Sequence, residues 1–279
     1  MGLTIHWNMK YTGRRDVVTQ MERIRQRAMD LPFDEVLPLV HLKGDACDYT
    51  KEKDEGRRWM LIQAEESVDD PEIKGRSYRV HPLELISFTV IVAPGSEPAN
   101  ITLVKLPTEF MTRDGRFIKI RSRGWRGGSF CKTQYASNLG IPNFLRAHIS
   151  VITLLEYIST LPAWKVEIRD EGDYGSHWSC PDWREADAEG RERQYALYPG
   201  YHDIPRLVKE VGEWNSMIAA FGGALKDALA KVSGEVVAPI FQRPDFEHLE
   251  MEGLKDLPPE HLITFLRACK EVPLLAEEE

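Results

Sequence analysis

The sequence predicts an α+β fold, a mainly antiparallel or mixed sheet with packed helices, and three observations predict it. Short β-rich runs alternate with amphipathic stretches, turn chemistry joins neighbouring runs as hairpins, and one segment, Pro142–Leu161, is apolar nearly all round. With 279 residues the chain is long enough for one large core, so it is read as a single domain over 1–279 with two lobes, 1–125 and 126–279.

The chain opens with a strand, Leu3–Trp7, and a helix whose apolar positions Val17, Met21, Ile24, Ala28 and Leu31 recur at helical spacing until Pro32 stops it. Val36–Leu42 is a short apolar stretch, Lys43–Arg58 a charged, solvated and mobile loop, and Trp59–Ala64 a strand. Leu85–Val92 and Ile101–Leu106 flank a turn-rich connection that includes Asn100, and Phe117–Arg123 is a third strand beside them. Asn100-Ile101-Thr102 matches a glycosylation sequon but is read as an ordinary turn. Trp164–Arg169 is a strand, 171–202 a long polar and aromatic loop, Asp203 the start of a helix through Phe221, and Pro259–Lys270 the last helix.

Composition narrows the function classes. Hydrophobic residues make up 42% and charged residues 29%, which is globular rather than disordered or membranous, and no apolar run nears the ~20 residues of a bilayer-spanning helix. The N-terminus lacks the pattern of a secretory signal, and the four cysteines are widely spaced, so a cytoplasmic chain with reduced thiols is the expectation. A net charge of -8 argues against whole-surface attraction to nucleic acid or anionic lipid. Yet Arg113–Tyr135 holds seven basic residues against one acid, Asp114.

That segment carries the candidate site. Strand alternation through 117–125 puts Lys119, Arg121 and Arg123 on one face, leading to Arg126 and to Gly127 and Gly128, whose backbone could approach an oxyanion or phosphate. With Lys132 these five cations are the expected ligand-binding residues for an anionic small molecule. In Phe130–Tyr135 a thiol, an amine, a hydroxyl and an amide occur in succession, and the neighbouring cations would lower the Cys131 pKa toward a nucleophilic thiolate. His148 as base and Asp170 or Glu171 as its orienting acid would complete a Cys-His-acid arrangement.

His177, Cys180 and His202 form a weak zinc pattern without paired cysteine spacing. The sequence assigns no cofactor. Two other functions are carried forward: a protein-interaction or regulatory module using the aromatic loop 171–202, and nucleic-acid binding through the basic strand 117–126.

Overall fold

A computed structural model describes residues 3–120, 124–175, 177–179, 196–198, 201–229 and 239–256. They form two compact units, one within Thr4–Asp203 and one within Met1–Leu3 and Ile204–Glu279. The α+β class stands, with antiparallel pairing throughout the larger unit's sheet. None of the described helices is long and apolar enough to cross a membrane.

In chain order the larger unit contains β1 (Thr4–Tyr11), α1 (Val17–Met29), β2 (Glu35–Val36), β3 (Val40–Lys43), α2 (Glu55–Gln63), β4 (Glu66–Asp69), β5 (Ser77–Val80), β6 (Glu84–Ile91) and β7 (Ala99–Lys105). It continues with β8 (Glu109–Met111), β9 (Phe117–Lys119), β10 (Trp125–Lys132), α3 (Ile141–Thr160), β11 (Trp164–Asp170), β12 (His177–Ser179) and β13 (Ala196–Tyr198). The main sheet runs β11-β1-β10-β7-β6-β2, with β3 also on β6, and β4-β5, β8-β9 and β12-β13 are separate two-stranded pairs. In the smaller unit α4 (Ile204–Leu229) packs with α5 (Phe246–Asp256), and Leu207, Val211, Ala219 and Ala220 are buried.

Alternation assigns the two faces of the sheet. Ile5, Trp7, Met9, Ile86, Phe88, Val90, Ile101 and Leu103 point to one face and are buried. Here α1 contributes Val17, Met21, Ile24 and Ala28, as the spacing predicts, and α3 contributes Phe144, Val151, Ile152, Leu155 and Ile158. On the opposite face Leu85 and Val104 join Met60, Leu61 and Ala64 of α2, together with Val80, Leu106 and Ile120, in a second core.

Several elements differ from the expectation. Trp59–Ala64 belongs to helix α2: Asp54 accepts a hydrogen bond from the Arg57 N–H (2.8 Å) as its N-cap, and Met60 and Leu61 are its buried stripe. Lys43–Arg58, expected as a solvated loop, holds two 3-10 turns, Gly44–Cys47 and Tyr49–Lys51, and the start of α2. The strand at Phe117 ends at Lys119 and pairs with β8 instead of β7. The neighbour of β7 is β10, which the glycines had disguised as a turn. Asn100 is not in a turn; it is buried within β7. Residues 259–270, the expected last helix, lie outside the described residues, and α5 is a helix that the sequence reading does not include.

Gly127 marks an irregular contact between β10 and β7, whose regular register covers only Arg126 opposite Val104. A Cβ on Gly127 would sit 1.8 Å from the Thr102 carbonyl oxygen, so only glycine lets the two backbones approach this closely. Gly127→Ala should therefore destabilise the protein by about 2–3 kcal/mol, as steric overpacking does. Gly115→Ala, at a φ of +82° but with open space around it, should cost only about 1 kcal/mol. Urea unfolding of the two variants measures the contrast.

Candidate functional site: a cavity and a cleft beside helix α2

On the α2 side, the central strands carry polar residues where a second core would normally be apolar. Ser87, Asn100 and Thr102 are each at most 3% exposed, so their polar groups need partners within the protein. They find them in a connected set. Ser87 Oγ bonds Thr102 Oγ1 (2.6 Å), Thr89 Oγ1 donates to Asn100 Oδ1 (2.7 Å), and Asn100 Nδ2 donates to Gln63 Oε1 (2.6 Å). Ser129 Oγ donates to the same Gln63 oxygen (3.2 Å), so the last residue of α2 is pinned over β7 and β10.

Around this pin the helix leaves two hollows. A cavity of about 370 Å³ opens along its N-terminal half; Leu37, Pro38, Val40, Trp59, Met60, Ile91 and Pro98 give it apolar walls. Thr89 and Asn100 are its polar lining toward the sheet, and Asp54, Gly56 and Arg57 come from the start of the helix. Trp59 is 43% exposed, an unusually open indole on a helix that otherwise buries its apolar side. At the other end a smaller cleft of about 200 Å³ is lined by Asn8, Gln63, Glu65, Glu66, Thr102, Gly127 and Gly128 among others.

Of the five expected anion-binding cations, the three that are described, Lys119, Arg126 and Lys132, do not gather at one point. Arg121 and Arg123 lie outside the described residues. Lys119 is on β9, opposite Glu109. Arg126 Nη2 is paired with Glu66 at 2.6 Å, and Lys132 is at the far end of β10, opposite Thr4. The backbone space above the glycines is also taken by this chain: Thr102 O crowds Gly127, and the Asn8 Oδ1 would stand 2.6 Å from a Cβ on Gly128.

The expected lowering of the Cys131 pKa is overturned. Cys131 is fully buried, and burial pushes its thiol up to about 12, because the thiolate would lose its solvation. Its sulfur contacts Glu97 O (3.1 Å) and Ser96 Oγ (3.6 Å). His148 is engaged elsewhere. Its Nδ1 meets Thr133 Oγ1 at 2.8 Å, and its Nε2 meets the Asp170 carboxylate at 3.1 Å. The proximity of His148 and Asp170 matches the sequence reading, while the hydroxyl of Thr133, two residues beyond Cys131, takes the position expected of the thiol. Glu171 does not orient His148; it accepts from Thr4 N (2.9 Å) and lies 3.7 Å from His6.

A hydroxyl, an imidazole and a carboxylate in a row have the connectivity of a nucleophilic triad. All three are at most 2% exposed, so the trio is a buried brace that ties the turn after β10 to α3 and β11. Asp170 also accepts from Gly172 N and Gly175 N, both at 2.8 Å, which fixes the chain leaving β11. Burial raises the Asp170 pKa, but His148 and these two N–H groups outweigh it and hold the carboxyl below its ordinary value.

Of the weak metal candidates, Cys180 lies outside the described residues, and of His177 only the backbone is described. His202 Nε2 meets Glu156 at 2.9 Å, with its ring edge-on to Tyr174. No group of three or more potential ligands for a metal ion occurs among the described residues. Most of the aromatic loop falls outside them as well. Comparison of the chain with protein-family models, curated proteins and solved structures returns no match.

The buried brace gives two measurable consequences. His148→Ala leaves the Asp170 carboxylate buried without its imidazole partner, and should destabilise the protein by about 3–5 kcal/mol in urea unfolding. Because the Asp170 pKa is lower folded than unfolded, its stabilisation is present above roughly pH 4, the ordinary carboxylate value, and disappears as pH falls through the folded value. Asp170→Asn should accordingly flatten the acid limb of the stability profile. In the native protein at pH 8, Cys131 should resist iodoacetamide, with modification appearing only on unfolding.

Proposed function

We propose that this protein binds a small, largely apolar molecule in the cavity between α2 and the sheet. The observation that carries the reading is the combination of apolar walls with a polar lining already held in place. Thr89 and Asn100 are ordered by their own hydrogen bonds, so a ligand entering the cavity meets directed polar groups without first having to organise them.

The volume supports a compact ligand, since about 370 Å³ lies at the lower end of small-molecule sites. Trp59 supplies a flat apolar surface at the rim, and Arg57 and Asp54 bring opposite charges to the same end. A neutral ring or short aliphatic body with one hydrogen-bonding end suits that lining best. The alternative of an anion at Gly127 and Gly128 draws less support, because Arg126 already has Glu66 as its partner.

A panel of small aromatic and aliphatic alcohols, amides and ketones tests the proposal by thermal shift and by tryptophan fluorescence. Binding should raise Tm in the wild type and perturb a fluorescence component that is missing in Trp59→Phe. Val40→Phe, which puts a ring into the cavity, should abolish both responses while leaving the fold intact by circular dichroism. A panel without any response, or a response that survives in Val40→Phe, overturns the proposal.

A further inference from the structure

The cleft at the C-terminal end of α2 differs from the cavity in kind. Its polar groups are carboxamides and carboxylates rather than apolar walls with a polar lining. The carboxylates are both engaged: Glu66 with Arg126 at 2.6 Å, and Glu65 with His81 Nδ1 at 2.9 Å. The carboxamides are not. Among the described residues neither the Asn8 side chain nor Gln63 Nε2 has a hydrogen-bond partner, although Gln63 Oε1 accepts two bonds.

Gln63 is therefore fixed through its oxygen and offers its amide hydrogens. Asn8 stands on an outward position of β1, with its Oδ1 over Gly128, and offers both a donor and an acceptor. A held carboxamide and an exposed one, beside two carboxylates that already have partners, match a neighbouring donor and acceptor on a ligand. An added anion would face Glu65 and Glu66, and an added cation would compete with Arg126 and His81 for partners they already hold.

We infer that this cleft is a second, polar binding site, separate from the cavity, for an uncharged group presenting an adjacent hydrogen-bond donor and acceptor. Vicinal hydroxyls of a sugar and the edge of a nucleobase share that chemistry. The volume of about 200 Å³ suits one ring-sized group rather than a larger ligand.

The experiment uses the full chain, with glucose, galactose and mannose as one arm and adenosine, cytidine and uridine as the other, followed by saturation-transfer NMR and calorimetry. Glucuronate and adenosine monophosphate are the charged counterparts. Saturable binding by at least one neutral probe is expected, and its arm names the source of the group. Asn8→Leu should weaken it by roughly tenfold, the loss expected when a carboxamide's hydrogen bonds are removed. Gly128→Ala, whose Cβ displaces the Asn8 carboxamide without deleting it, should act in the same direction. Val40→Phe blocks the cavity and should leave this binding unchanged, which separates failure here from failure of the cavity reading. Absence of saturable binding in both arms overturns the inference, as does equal affinity in Asn8→Leu or tighter binding of the charged counterparts.

Discussion

Much of the architecture on the α2 side follows from one constraint: Ser87, Asn100 and Thr102 on the central strands β6 and β7 are shut away from water and must find partners within the protein. Ser87 and Thr102 satisfy this as a cross-strand pair, and Thr89 and Asn100 as another. Asn100 has a further donor, and Gln63 accepts it. That bond sets where α2 ends over the sheet. The second core then fills in beside it, with Met60, Leu61 and Ala64 against Leu85 and Val104.

The basic segment 113–135 looks different once the chain is folded. Arg116, one of its seven cations, reaches Asp70 at 2.6 Å, Glu72 at 3.1 Å and Asp114 at 3.1 Å, joining the β8-β9 hairpin to the β4-β5 region. The Arg116 guanidinium holds the Asp70 carboxyl well below the usual carboxylate range, and a hydrogen bond from Thr112 with that from Arg116 brings Asp114 to about 2. Arg126 is matched by Glu66, the first residue of β4. An excess of charge along the sequence is thus spent partly on long-range ion pairs that tie hairpins to the sheet. Charge read along a chain ignores partners 46 or 60 residues away, and that is why the cationic strand promised more than its described members deliver.

The class of fold was legible because it depends on periodicity, which is local. The buried stripe of α1 and the all-round apolar α3 follow directly from spacing. Helix α2 was misread because Trp-Met-Leu-Ile is a short apolar run whose period does not separate helix from strand; the informative signal was Asp54 as a cap followed by Glu55. Strand β10 was missed because glycine at 127 and 128 normally argues for a turn, whereas here it answers a close approach by β7 and by Asn8. His148 with Asp170 was found since both end up on the helix and strand edge predicted for them. Thr133 was passed over for Cys131 because strand β10 puts the thiol wholly inside the core, and a sequence carries no record of which of two nearby nucleophiles faces the imidazole.

The size of α2 explains why hollows remain on both sides of it. At nine residues it is about 13 Å long and roughly 10 Å wide, while strands repeat every ~4.8 Å, so it can roof only two or three of the six strands along the sheet path. A longer helix would cover more of the sheet and leave less hollow beside it. The Asp54 cap sets one end, and Gln63 is held by Asn100 and Ser129 at the other, so the helix is fixed at a length that cannot close the sheet. The apolar cavity and the polar cleft are consequently products of the same pair of restraints. Their contrasting linings reflect what the strands below already present: Ile91 with Thr89 and Asn100 toward one side, and Thr102 with Gly127, Gly128 and Asn8 toward the other.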